Sequence, residues 1–306
     1  MTLLLINGVL LAAVASVPSA APAWDHAASY QQLGYAQAAY CMAGFESWDC
    51  GKVCDALPAL QDLHVITANA TRGLAFVGWH HEDGEEEDGG GPVIVVSFRG
   101  TLERYFENWW SDLSSVKLDT TPYCPWKGCA VGDGFLRAYN ELVAEGLISA
   151  ILEVNQTAMQ ASALGAAAPR VRVTGHSLGA SLASICAVQL YQKGARLDSV
   201  VTFGSPRTGN PTFARWYHEI IFNRTRYAFR VTHYRDPIVH LPPLNYFVSF
   251  QHVPREVFFS EKTGDKKKIC DGSGEDHSCS YAWTPIPSSR DHLNYMDMPI
   301  GSDQCA

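Results

Sequence analysis

The feature that most constrains the fold is a short apolar run that leads into a glycine-flanked serine and then into a second apolar segment. Residues 171–174 read Val-Arg-Val-Thr, and Gly175-His176-Ser177-Leu178-Gly179 follows directly. The first run predicts a buried strand, and residues 178–192 predict a helix. Glycines suit such a junction because they carry no Cβ to collide as helix and strand approach. The pattern predicts a strained turn that raises Ser177 above the edge of a sheet.

The rest of the chain alternates strand and helix patterns. Strand patterns cover 64–67, 73–79, 92–98, 200–203 and 227–233, and helix patterns cover 26–41, 132–154 and 212–220. This order predicts an α/β fold with a mainly parallel central sheet flanked by helices. The acidic, glycine-rich stretch 80–91 is predicted to be a solvated hairpin loop. No repeat or long linker divides the chain, so residues 24–306 are predicted to form a single domain.

Composition excludes several classes of protein. The 306 residues carry a formal net charge of −8, with 47% hydrophobic and 18% charged residues, a globular balance that excludes wholesale disorder. No basic face is evident, so we expect no nucleic-acid partner. No internal apolar run reaches the about 18 residues that span a bilayer, so we expect no transmembrane segment. We take a monomer as the default.

The N-terminus has the pattern of a secretory signal peptide. Residues 1–23 contain no Asp, Glu, Lys or Arg, and an apolar run covers 3–14. Small residues follow, which predicts cleavage at about 19–23 and a secreted, extracellular protein. The alternative is an N-terminal apolar helix or membrane anchor. Three Asn-x-Thr sequons, at Asn69, Asn155 and Asn223, are candidate glycosylation sites.

Nine cysteines agree with an oxidising compartment. Cys186 lies in an apolar helical run and is predicted to be a buried free thiol. Short loops favour the pairs Cys50–Cys54, Cys124–Cys129 and Cys270–Cys279, although the sequence alone leaves the connectivity open. The competing interpretation, a zinc site, lacks a CxxC pattern or a histidine at metal spacing, so we expect no metal.

A serine hydroxyl becomes a useful nucleophile only beside a base, and the base needs an acid to orient it. In α/β-hydrolases the chain order is serine, acid, histidine. Asp236 follows the strand pattern 227–233, where the acid is expected, although an aspartate before proline is also typical of a plain turn. Four histidines come later and leave the choice of base open: His240, His252, His277 and His292. His176 is predicted to be structural, because adjacent residues cannot easily both face a substrate.

Seven segments in chain order resemble the fungal-type class 3 lipase family of α/β-hydrolases. They are VVSFRGT (95–101), ENWWSDL (107–113), GDGFLRAY (132–139), VTGHSLGAS (173–181), FGSPRTGNPTFA (203–214), RDPIVHLPP (235–243) and RDHLNY (290–295). The resemblance covers nearly the whole chain from about residue 26 to Cys305. It implies an α/β-hydrolase fold with a helical lid over the active site, and a catalytic triad of Ser177, Asp236 and His292.

The resemblance also implies an oxyanion hole and a disulfide pattern. The oxyanion donors are the backbone N–H groups of Thr101 and Leu178, with the Thr101 hydroxyl as a further donor. The implied disulfides are Cys41–Cys305, Cys50–Cys54 and Cys270–Cys279, whereas Cys124–Cys129 is similar to a bridge found in some members.

Residues 102–113 place their apolar side chains on one helical stripe: Leu102, Tyr105, Phe106, Trp109, Trp110 and Leu113. The pattern alone fits a fixed surface helix equally well. The resemblance implies a mobile lid that turns its aromatic face to lipid at an interface, where burial of apolar surface favours the open state.

The function implied is that of a secreted serine carboxylic-ester hydrolase, a triacylglycerol lipase that acts at lipid–water interfaces without a cofactor. A feruloyl esterase or a phospholipase A1 of the same fold is the alternative. Trp109 and Trp110 argue against a feruloyl esterase, because the lids of those enzymes tend to be more polar. A non-catalytic lipid- or glycan-binding relative is a third interpretation, but such a protein is expected to lack a triad residue, and none is missing.

Overall fold

The computed structural model describes residues 23–41, 47–84, 90–102, 117–162, 168–244, 249–282 and 289–305. The predicted signal peptide, except for Ala23, lies outside these residues. So does the predicted lid beyond its first position, namely Tyr105, Phe106, Trp109, Trp110 and Leu113.

The secondary structure alternates as the sequence patterns predict. The helices are α1 (His26–Ala38), α2 (Lys52–Asp55), α3 (Asp133–Ala144), α4 (Leu147–Gln160), α5 (Leu178–Gln192), α6 (Pro211–Tyr217) and α7 (Ser289–His292). The strands are β1 (Gln61–Ala68), β2 (Gly73–Glu82), β3 (Gly91–Phe98), β4 (Leu118–Thr120), β5 (Ala130–Gly132), β6 (Arg170–His176), β7 (Leu197–Phe203), β8 (Tyr227–His233), β9 (Glu256–Phe259), β10 (Lys267–Ile269), β11 (Asn294–Tyr295) and β12 (Met298–Pro299). A π-helical turn, His218–Phe222, continues α6, and a 3-10 turn covers Ile238–His240.

Eight strands form one sheet in the order β1-β2-β3-β6-β7-β8-β9-β10. The five central strands, from β3 to β9 in this order, are parallel, and the outer pairs are antiparallel. The mainly parallel sheet flanked by helices is the predicted α/β-hydrolase fold, which the structure confirms. In such sheets the carboxyl ends of the parallel strands meet at one edge, and ligand-binding and catalytic sites form at that edge.

Both faces of the sheet are covered, so its central strands are buried along nearly their whole length. In β3, Ile94 and Val96 pack toward the core shared with α3, α4 and α5, whereas Val93 and Val95 pack on the opposite side with α1. The alternation follows from the two-residue period of a strand. None of the described helices combines the length and apolar character needed to cross a membrane.

The structure divides one predicted helix and shortens one predicted loop. The pattern 132–154 is two helices, because Gly146 adopts φ 103° and separates α3 from α4. The predicted loop 80–91 is shorter, since residues 80–82 extend β2 and pair with β3. Glu82 pairs with Gly91, and its carboxylate bonds Arg172 at 2.6 and 2.8 Å, a partner that the local sequence does not reveal.

Eight of the nine cysteines form four disulfides: Cys41–Cys305, Cys50–Cys54, Cys124–Cys129 and Cys270–Cys279. Cys186 is a buried free thiol on α5. The first disulfide ties the end of the segment after α1 to the C-terminus. Its neighbourhood is also held by Gln37, whose amide exchanges hydrogen bonds with the backbone of Gly301 at 2.7 and 2.9 Å.

Candidate active site

Ser177 occupies the turn between β6 and α5, with φ 61° and ψ −128°. This backbone conformation is strained for a residue with a side chain, and it persists only where the surroundings fix it. Here Ser177 N donates a hydrogen bond to Phe203 O at 2.9 Å, which ties the turn to the end of β7. The side chain is buried, and its Oγ makes no hydrogen bond with the described part of the chain.

Two glycines let the helix approach the strand at this turn. A Cβ on Gly175 would lie 2.5 Å from the carbonyl carbon of Gly179. A Cβ on Gly179 would lie 2.7 Å from the carbonyl carbon of Phe98. Both distances fall well inside van der Waals contact with backbone atoms, so only glycine fits either position.

Asp236 and His292 meet in the interior although they are 56 residues apart. His292 Nδ1 lies 2.8 Å from Asp236 Oδ2, and both side chains are 0% exposed. Burial by itself raises the pKa of Asp236, but attraction to His292 and hydrogen bonds to the carboxylate outweigh it, so this pKa lies below its usual value. The carboxylate is therefore ionised at neutral pH, and it holds the imidazole with Nδ1 as the donor.

The structure thus selects one partner for Asp236 among the four later histidines. His252 instead has its Nε2 atom 2.7 Å from Val239 O. His277 is exposed, and His240 is half-buried at the end of a 3-10 turn. His292 lies at the end of the short helix α7, which the sequence pattern did not predict.

Tyr295 and Gly204 complete the surroundings of this pair. The Tyr295 hydroxyl donates to Asp236 Oδ2, the oxygen that also faces His292. Gly204 has φ 58°, and a Cβ there would lie 2.9 Å from His292 Cε1 and 3.0 Å from Asp236 Oδ2. The glycine therefore leaves the room that the pair occupies. Sequence reasoning missed both residues, although Tyr295 closes the RDHLNY segment that drew attention to His292.

His176 links the elbow to His292. Its Nε2 lies 2.8 Å from His292 O, and its Nδ1 lies 2.8 Å from the Tyr40 hydroxyl. A carbonyl can only accept, so Nε2 carries the proton and Nδ1 accepts from Tyr40. Burial, then repulsion by His292, lowers the pKa of His176 well below 6.5. The two ring centroids lie 4.4 Å apart, so a neutral His176, the residue that precedes Ser177, packs directly against His292.

The predicted oxyanion donors are Leu178, which follows Ser177 in the chain, and Thr101, which follows Gly100. Leu178 is the first residue of α5, and the first N–H groups of a helix have no acceptor within it. Gly100 precedes Thr101, and a Cβ on Gly100 would lie 2.9 Å from Ser177 Cβ. The loop after β3 therefore packs directly against the elbow. Both predicted donor residues are half-buried.

The remaining predicted residues lie elsewhere. Leu102, the described member of the lid stripe, packs against the apolar cluster that contains Tyr40 and Val201. Among the sequons, Asn69 and Asn223 are exposed and Asn155 is half-buried. These sites stay predictions.

One group of potential metal ligands occurs among the described residues. Its ligand atoms, from Cys270, Asp276 and Cys279, lie within 4.8 Å of one another. The two sulfurs are joined in a disulfide, so neither can supply the thiolate that a metal binds.

The sheet and its serine elbow define an α/β-hydrolase. Comparison with known proteins shows to which family of α/β-hydrolases the chain belongs. The family model described as lipase (class 3) matches residues 95–246. A lipase of Rhizomucor miehei is 31% identical over 213 residues, which cover 68% of this chain and 53% of that protein. The secreted mono- and diacylglycerol lipase 1 of Fusarium solani is 32% identical over 187 residues, which cover 58% of this chain and 49% of that protein. The chain belongs to the class 3 lipase family, as the sequence motifs predicted.

A solved structure agrees with this assignment. The structure of Rhizomucor miehei triacylglyceride lipase superposes with a TM-score of 0.70 at 27% identity, covering 91% of this chain and 98% of that chain. The chain nevertheless spans about half the length of the curated relatives that it matches.

Proposed function

We propose that the protein is a secreted serine carboxylic-ester hydrolase that acts on acylglycerols at lipid–water interfaces. The observation that carries this proposal is the buried Asp236–His292 pair, which lies beside the strained elbow of Ser177. A relative named triacylglyceride lipase and one named mono- and diacylglycerol lipase support the class of substrate.

The geometry fits a two-step acyl transfer. Ser177 Oγ attacks the ester carbonyl, and His292 Nε2 accepts the hydroxyl proton and passes it to the leaving alcohol. Water, activated by the same nitrogen, then releases the carboxylic acid. Asp236 keeps Nδ1–H of His292 as the donor and stabilises the imidazolium that forms between the steps.

Charge that develops on the carbonyl oxygen needs preorganised donors. The backbone N–H groups of Thr101 and Leu178 are proposed for this role. Leu178 follows Ser177 in the chain, and Thr101 follows Gly100, which lies in close contact with the elbow. Removal of one such donor typically lowers kcat by ~10²–10³. No metal or organic cofactor enters this scheme.

Ser177 and His292 are each 0% exposed. In this proposal, a rearrangement admits the substrate to Ser177. We assign that movement to the segment 102–113, whose aromatic stripe gains free energy by burial in lipid at about 25 cal/mol per Å². An interface thereby favours the open state.

Secretion is supported by the disulfides, among them Cys41–Cys305, which joins residues 264 positions apart, and by the apolar N-terminus. Four disulfides are typical of proteins that fold in an oxidising compartment. Edman sequencing of the protein from culture medium should begin at about residues 20–24. An intracellular protein with an intact N-terminus would contradict this part.

The decisive experiment compares substrates and one variant. Ser177→Ala should abolish hydrolysis of a soluble p-nitrophenyl ester while the circular dichroism spectrum is retained. Emulsified acylglycerol should be hydrolysed with a rise in rate when the emulsion forms, and methyl ferulate should be a poor substrate. Retained turnover in the variant would refute the assignment of Ser177 as the nucleophile. A smooth saturation curve through the point where the emulsion forms would refute the mobile lid. Faster cleavage of the ferulate than of the acylglycerol would identify a feruloyl esterase.

A further inference from the structure

The segment that follows Asp236 is held by its carbonyl oxygens. Four consecutive carbonyls, of residues 239–242, each accept a hydrogen bond from either Arg207 or His252. The distances are 2.7 Å from His252 Nε2 to Val239 O, 2.5 Å from Arg207 Nη1 to His240 O, 2.7 Å from Arg207 N to Leu241 O and 3.0 Å from Arg207 Nη1 to Pro242 O. Two residues from other parts of the chain thus hold the whole segment.

Glu275 joins these two donor residues. Its carboxylate accepts from Arg207 Nε at 2.7 Å and from Nη2 at 2.8 Å, and it accepts from His252 N at 3.0 Å. Arg207 and His252 are each 2% exposed. A bidentate, charge-assisted pair fixes both the distance and the orientation of the guanidinium. The Cys270–Cys279 disulfide closes the loop that carries Glu275.

His252 keeps one protonation state in this arrangement. Burial, and then the positive charges of Arg230 and Arg207, lower its pKa well below 6.5. Its Nε2 therefore carries the only ring proton, and that proton is donated to Val239 O.

The other end of the segment is tied to the Asp236 carboxylate itself. Ile238 N donates to Asp236 Oδ1 at 2.8 Å, while Asp236 Oδ2 faces His292. One oxygen therefore contacts the held segment and the other contacts the imidazole. A displacement of the segment turns the carboxylate relative to His292.

We propose that Arg207, Glu275 and His252 form a positioning clamp that sets the orientation of Asp236 toward His292. The proposal rests on the proposed function, because orientation of this pair matters only if His292 acts as the base. In this proposal the clamp residues do not act on the ester directly. They act through the segment 237–242, and a small misplacement of a catalytic group is enough to lower a rate strongly.

The test is Glu275→Gln, with Glu82→Gln as a matched control. Glu82 also forms a bidentate pair with an arginine, Arg172, whose side chain is 13% exposed, but at the amino-terminal edge of the parallel strands. For a soluble p-nitrophenyl ester, we expect E275Q to lower kcat about 10-fold and to change KM less than about 2-fold. E82Q should stay within about 2-fold of the unsubstituted enzyme in both constants.

The pH profile separates positioning from a loss of fold. The described groups that face His292 are Asp236, Tyr295 and His176, and none of them is substituted. A misdirected carboxylate stabilises the imidazolium less, so the acid limb of kcat/KM should move to lower pH in E275Q. Glu275→Asp, which keeps the charge but shortens the reach, should lower kcat about 3-fold.

An unchanged acid limb together with an unchanged kcat in E275Q would overturn the clamp. Equal losses of kcat in E275Q and E82Q would also overturn it, because the effect would then follow stability. If E275Q does not fold, E275D is used for the test instead. A kcat of E275D equal to that of the unsubstituted enzyme would then overturn the proposal. A complete lack of ester hydrolysis by the unsubstituted protein would instead refute the proposed function.

Discussion

The Tyr295 hydroxyl donates a hydrogen bond to Asp236 Oδ2, the same carboxylate oxygen that accepts from His292 Nδ1. Burial and the neighbouring carboxylate raise the pKa of Tyr295 well above 10, so the phenol keeps its proton and acts as a donor at all working pH values. Tyr295 therefore helps to keep the buried carboxylate charged and directed at the imidazole.

Tyr295→Phe removes this donor without changing the packing of the ring. A hydrogen bond to a charged group contributes about 1.5–3 kcal/mol, and Asp236 retains its other partners, so we expect kcat to fall about 10-fold with little change in KM. Steady-state hydrolysis of a soluble ester measures both constants. Tyr227→Phe is the control, because the Tyr227 hydroxyl bonds Asp25 O and Ser29 near the N-terminus. Full activity in Y295F would show that the hydrogen bond does not support catalysis.

Gly179 and Gly134 form a matched pair, since each is the second residue of a helix. A Cβ on Gly179 would lie 2.7 Å from the Phe98 carbonyl carbon, whereas a Cβ on Gly134 would meet nothing within 4 Å. We expect Gly179→Ala to lower the free energy of unfolding by about 2 kcal/mol or more, because backbone must move. Gly134→Ala should raise it by about 0.4–1 kcal/mol. Denaturant unfolding measures both, and equal effects would contradict the steric role of Gly179.

The elbow could be predicted from sequence because its causes are local. The strand run, the two glycines and the apolar helix lie within 171–192, and the helix α5 begins and ends where the pattern predicts. The strand β8 also matches its predicted bounds. Local steric and periodic signals of this kind need no knowledge of distant partners.

The supporting contacts could not be predicted in this way. Tyr295 reaches Asp236 across 59 positions, and Glu275 reaches Arg207 across 68. Nothing in the neighbouring residues of either member signals such a partner. The split of the predicted helix at Gly146 has a different cause, because a single glycine is tolerated within a helical pattern and its positive φ appears only in the fold.

Buried neutral histidines predict a loss of stability in mild acid. The pKa values of His176 and His252 lie well below 6.5 in the folded protein, in both cases chiefly because of burial. Below about pH 6.5 the unfolded chain binds protons that the folded protein does not, so the stability present above this pH is lost as the pH falls. The expected slope is about 1.4 kcal/mol per pH unit for each histidine.

Denaturant unfolding between pH 7 and pH 5 checks this slope. The pKa of Asp236 lies below its usual value of 3.8, so the stability from that carboxylate is lost only at lower pH. His252→Gln retains an N–H donor for Val239 O. It should lower the slope of the unfolding free energy against pH by about 1.4 kcal/mol per pH unit, the contribution of one histidine. His277→Gln, at an exposed position, is the control. An unchanged slope in H252Q would show that His252 takes up a proton in the folded protein.

The disulfides Cys41–Cys305 and Cys124–Cys129 should differ in their contribution to stability. They join residues that are 264 and 5 positions apart. In the chain-entropy description a longer closed loop restricts the unfolded state more, which gives about 5.5 kcal/mol for the long loop and about 2 kcal/mol for the short one. Serine pairs in place of each disulfide, compared by denaturant unfolding, should therefore show a larger loss for C41S/C305S. The hydrogen bonds between Gln37 and Gly301 keep the segments that carry Cys41 and Cys305 adjacent in the folded state. The native contacts are therefore expected to survive in C41S/C305S, and the difference in stability is expected to arise in the unfolded chain. Equal losses from the two double variants would contradict that origin.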